Sequence, residues 1–89
     1  MGGFFYKEKY VLAIPPGATI LEQLETRDMS LDEFTLKMGL SKQEIDHLVR
    51  GQMELTEDIA VKLESVLGIP ATYWSNLEML YREALKKGN

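Results

Sequence analysis

Beyond residue 17, apolar residues recur three and four positions apart rather than at every second position. That is the spacing of helices that each bury one face. Ile20, Leu21 and Leu24 form the first such group, and Leu31, Phe34 and Met38, with Thr35 between, form the second. Ile45, Leu48 and Val49 make a third; Ile59, Ala60, Leu63, Val66 and Leu67 a fourth. Tyr73, Trp74, Leu77, Leu80, Tyr81, Ala84 and Leu85 run at the same spacing to the basic end Lys86–Lys87, which suits the negative pole of a helix. The pattern predicts five helices and an all-α fold.

Polar punctuation sets the predicted boundaries. "IPPG" at residues 14–17 is a stop signal that favours extended backbone before the first helix, which runs to about Asp28. Ser30 with Glu33, and Ser41 with Glu44, each read as a capping box opening a helix. Thr56 caps the fourth, with Glu57 and Asp58 in its first turn, and Pro70 suits the first turn of the fifth. Gly39, Gly51 and Gly68 mark the ends. Upstream, Phe4, Tyr6, Tyr10 and Leu12 share one parity while Phe5 and Val11 break it, so residues 1–13 read as an extended arm or short strand. The helical domain then occupies residues 14–89.

Composition narrows this little. Eighty-nine residues, 45% apolar and 27% charged, suffice for one domain with a modest core. Cysteine is absent, which excludes disulfides, thiolate metal sites and a cysteine nucleophile. No apolar run reaches the roughly 20 residues of a membrane span. Lys7, Glu8 and Lys9 interrupt any secretory pattern, and Tyr6 stands where a myristoylation signal needs Ser or Thr. The expectation is a cytoplasmic protein. Its net charge of −4 is the reverse of a nucleic-acid binder's usual balance and leaves room for a basic protein partner.

The informative stretch is "SLDEFTLKMGLSKQEIDHLV", two capped helices with only Gly39 and Leu40 between the first and the Ser41 cap. So short a corner makes the second helix cross the first steeply, as in a helix-turn-helix at residues 30–50; a plain helical hairpin is the alternative. With Ile45, Leu48 and Val49 inward, Gln43, Asp46, His47 and Arg50 share the opposite stripe. Lys42 and Gln43 stand at its N-terminal tip. His47, the lone histidine, reads as a solvated side chain without the company a metal site requires, and Glu22 with Glu25 as a solvated face. Trp74, Tyr73 and Tyr81 read as core with dimer contact. No nucleophile–base pair, phosphate-cradling glycine loop or HExxH stretch is present, so no catalytic residue, metal or cofactor is assigned.

The text "IPPGATILEQLE", "MSLDEFTLKMGLS", "LTEDIAVKLESVLGIP" and "YWSNLEMLYREAL" resembles the lambda-repressor-like XRE helix-turn-helix family, and within it the HigA (VapI-like) antitoxins. The resemblance covers residues 14–87; "PPG" and "LGIPATYWSNLE" are its most subfamily-specific parts. It implies a five-helix lambda-repressor-like domain acting as a homodimer on operator DNA, with a small basic toxin as second partner. It also places the DNA-reading residues at Ser41, Lys42, Gln43, Asp46, His47 and Arg50. In those roles the Ser41 cap would meet phosphate, Gln43 suits adenine, and Arg50 suits guanine or phosphate.

The chain departs from the family pattern at Leu31 and Thr35 and in "QME" at residues 52–54. Between residues 41 and 56, two cations, Lys42 and Arg50, face three carboxylates, Glu44, Asp46 and Glu54. The competing expectation is therefore a protein-interaction module, neutralising a toxin or heading a larger regulator, on the same scaffold with a weakened DNA face.

Overall fold

The computed structural model describes residues 13–88, and these form five helices: α1 Pro16–Thr26, α2 Leu31–Met38, α3 Lys42–Val49, α4 Glu57–Leu67 and α5 Ala71–Gly88. No strand occurs among the described residues; the expected arm or strand at residues 1–13 lies almost wholly outside them. None of these helices is long and apolar enough to cross a membrane.

The helix ends show why the punctuation works. Ser30, Ser41 and Thr56 hold extended backbone, and each side chain accepts a hydrogen bond from the amide three residues on. The Ser41 box is reciprocal: the Glu44 amide donates to the Ser41 hydroxyl at 3.0 Å and the Ser41 amide to the Glu44 carboxylate at 2.9 Å. At Ser30 only the first half forms, because the Glu33 carboxylate faces Lys37 one turn on, at 4.0 Å. Asp28 ends α1 at φ 56°, in the left-handed conformation that Asp tolerates better than most residues; its amide bonds the Glu25 carbonyl and the Met29 amide that of Leu24.

Two starts differ from the sequence expectation. Pro16 and Gly17 are the first two residues of α1 rather than a break before it. Pro15 is the extended cap, and Pro16 supplies the preset φ of a first helical residue, whose missing N–H would be unpaired anyway. Pro70 stands just before α5, and a carboxylate from another helix caps that start: the Ala71 amide donates to Glu64 Oε1 at 3.0 Å. That contact spans a turn and leaves no local sequence signature.

The core gathers one face from each helix: Ile20 and Leu24 from α1, Phe34 and Met38 from α2, Ile45 and Leu48 from α3, Ile59, Ala60, Leu63 and Leu67 from α4, Trp74 from α5, with Leu55 from the α3–α4 connection. Burying each large apolar side chain contributes about 1.5–3 kcal/mol. Leu31, Leu21 and Leu80, expected inward from their spacing, are exposed instead. Two arginines fasten the frame. Arg27 donates to the Leu67 carbonyl at the end of α4 (2.5 Å) and to Gln23, and Arg82 joins Glu78 (2.7 Å) to the Met53 carbonyl (3.1 Å) of the α3–α4 loop. Both tie elements far apart in the chain.

Candidate nucleic-acid interface

The corner between α2 and α3 depends on one backbone conformation. Gly39 takes φ 71°, ψ 26°, and its amide bonds the Thr35 and Leu36 carbonyls, which closes α2. A side chain is disfavoured at that φ, so glycine is the residue that lets Ser41 begin a new helix within two residues. Helix α3 lies against α1 and α2 through Ile45 and Leu48, both buried, and Val49, half-buried. Its other side is open to solvent.

The six expected residues are all on α3 or its caps, and the structure divides them. Ser41, Lys42, Gln43 and Arg50 are exposed, whereas Asp46 and His47 are half-buried. The stripe is therefore less open at its middle than helical spacing predicts, because those two positions flank the buried Ile45 and Leu48. Ser41 is occupied as a cap, so its hydroxyl already accepts the Glu44 amide. Ser41→Ala should lower stability by about 1 kcal/mol, read as a smaller urea midpoint at unchanged slope, since it removes the hydroxyl that accepts the Glu44 amide and leaves only the Ser41 amide's own bond to the Glu44 carboxylate. No group of three metal-ligating side chains surrounds His47 or any other described residue.

Electrostatic pairing is the feature the sequence did not disclose. Lys42 lies 3.7 Å from Asp32 of α2, both side chains about four-fifths exposed (81% and 79%). Arg50 Nε donates to Asp46 Oδ1 at 3.0 Å across one helical turn. Both cations of the outward face thus have a carboxylate beside them, and the Glu44 carboxylate is committed to the cap. Exposed pairs of this kind are weak, typically about 0–1 kcal/mol, so a polyanion can compete for the cations. The face offers polar, directional donors more than net positive charge.

With this geometry in view, residues 20–74 match the Helix-turn-helix protein family, a span that holds α2, its corner and α3. The chain is 35% identical over 63 residues to the uncharacterized HTH-type transcriptional regulator YddM of Escherichia coli (strain K12), covering 71% of this chain and 67% of that protein. Among solved structures it is similar to antitoxin HigA of Pseudomonas aeruginosa with the higBA promoter, at 26% identity and a TM-score of 0.77 over 84% of this chain and 83% of that one. It is similar too to PA4674 of the same organism in complex with its operator DNA, at 25% identity and a TM-score of 0.76, covering 84% of each chain.

Proposed function

The chain belongs to the Helix-turn-helix family, and we propose from that premise that it is a DNA-binding transcriptional regulator of the HigA-like antitoxin type. The observation that carries the reading is the outward placement of α3. A glycine corner and a reciprocal cap hold this helix on the surface with Gln43 and Arg50 exposed on one stripe. Relatives with the same architecture include proteins solved on promoter and operator DNA.

In this reading α3 enters a major groove N-terminus first. Gln43 pairs with an adenine edge, Arg50 with a guanine edge, and Lys42 with a phosphate; the Ser41 cap and the first amides of α3 lie along the backbone, with Asp46 and His47 behind the contact line. The chain acts as a homodimer, so that two such helices meet successive grooves about 34 Å apart. Support for pairing comes from α5, where Tyr73 (44% exposed) and Leu80 (57% exposed) flank the half-buried Leu77 on one stripe. A small basic toxin is the second partner, consistent with the net charge of −4. It would bind the acidic body rather than the DNA face.

Fluorescence titration with a duplex carrying the DNA upstream of its own gene tests this. Binding is expected in low salt, weakened roughly tenfold by Gln43→Ala, and with a log–log salt slope no steeper than about −4 if α3 makes the contact, since that helix and its caps carry two cations per protomer, Lys42 and Arg50. Absence of binding at low salt would overturn it. Copurification with the product of an adjacent short basic reading frame tests the toxin partner separately.

A further inference from the structure

The chain has three arginines, and the structure uses them in two ways. Arg27 spends both terminal nitrogens within the fold, on Gln23 and Leu67. Arg82 spends its Nε on Glu78 and a terminal nitrogen on Met53. Arg50 differs: Nε is bonded to Asp46, and among the described residues neither terminal nitrogen has an acceptor. Its side chain is 64% exposed and that of Asp46 50%, on the same outward stripe of α3 as Gln43.

We infer that Asp46 is a positioning residue that aims the Arg50 guanidinium end-on at a guanine, and so makes Arg50 a reader of base sequence rather than a neutraliser of phosphate. This rests on the DNA-binding reading above. A guanidinium offers two double-donor edges, one using Nε with a terminal nitrogen and one using both terminal nitrogens. The bond to Asp46 occupies Nε and leaves the second edge, whose parallel donors match guanine O6 and N7. Holding the fork in place beforehand also lowers the rotamer entropy lost on contact.

Charge points the same way. A phosphate contact draws its affinity from net positive charge through counterion release, and the Asp46–Arg50 pair is neutral. A carboxylate 3.0 Å behind the guanidinium repels a phosphate but leaves the directional donors intact. The same carboxylate that looks adverse to DNA therefore becomes a specificity device. It weakens binding to every sequence and spares the one with guanine at the right step.

Selection from a randomised duplex library, with the full chain and its Asp46→Ala, Asp46→Asn and Arg50→Ala variants, tests this, with circular dichroism confirming that each remains folded. Both Asp46 variants remove the charge, but only Asn keeps an acceptor for Nε. The wild type should enrich one guanine per half-site by roughly tenfold or more, as a bidentate contact does. Arg50→Ala and Asp46→Ala should lose that preference, and Asp46→Asn should retain most of it. If Asp46 acts by repulsion alone, Ala and Asn will tighten binding to all sequences equally and keep the guanine, which overturns the inference while DNA binding stands. A wild type that selects nothing at low salt overturns both.

Discussion

Gly17→Ala should destabilise the chain by about 3 kcal/mol or more, enough to abolish a cooperative urea transition in a domain of marginal stability. The reason lies in the seam between α1 and α3. A Cβ at Gly17 would fall inside the Val49 backbone, overlapping its carbonyl oxygen, carbonyl carbon and Cα. Backbone cannot rotate aside as a side chain can, so one of the two helices would have to move. Gly51 marks the same junction, where an added Cβ would meet the Tyr81 hydroxyl at 2.7 Å and Pro15 at 2.9 Å. Gly68 is the control, because it has open space around it and only a left-handed φ of 77°. Gly68→Ala should therefore cost only about 1 kcal/mol, the strain of that conformation. Equal midpoints for the two variants would show that the seam is looser than the structure draws it. The seam also bears on the proposed recognition, since Val49 immediately precedes Arg50 and the start of α1 braces that end of α3.

The seam was hidden in the sequence for a physical reason. "IPPG" looks like a break when read locally, because proline disfavours helix interiors; only packing against Val49 explains why a glycine follows the second proline inside α1. Elsewhere local chemistry was a good guide. The Ser41–Glu44 box, the Thr56 cap and the glycines at 39 and 68 placed the ends of α2, α3 and α4, because caps and left-handed turns are decided by residues within one turn of each other. Contacts between elements were beyond such reading. Glu64 capping α5 and Lys42 beside Asp32 join residues seven and ten apart across a turn. Asp46 and Arg50 lie at a spacing that permits an ion pair, but sequence alone places each as a DNA contact and does not show that they pair with each other. Periodicity likewise named Phe34 and Leu80 alike as apolar face, although a helix with neighbours on one side only buries the first and exposes the second.

Trp74 shows how a single side chain can separate packing from hydrogen bonding. It is fully buried in the core, with Tyr73 edge-on at 5.6 Å and 81°; of the three aromatic residues expected as core with dimer contact, Trp74 is buried, Tyr81 half-buried and Tyr73 exposed. Its indole N–H has no hydrogen-bond acceptor among the described residues. Trp74→Ala should cost about 3–5 kcal/mol, because it removes the largest buried side chain and leaves a cavity that five short helices fill only partly. Trp74→Phe removes less volume, and it also removes a buried donor whose lack of a partner costs about 1–3 kcal/mol. The two effects of the Phe variant oppose each other, so its urea midpoint should lie near the wild type's while that of the Ala variant collapses. A Phe variant as damaged as the Ala variant would mean that the indole N–H contributes a bond in solution. Because Trp74 belongs to α5 and is wholly buried, with no part of it on the exposed face of α3, the Phe variant should bind the upstream duplex as tightly as the wild type. Its stability then depends on how the ring fills the core, and its recognition, in the function proposed above, on the Gly39 corner and Arg50.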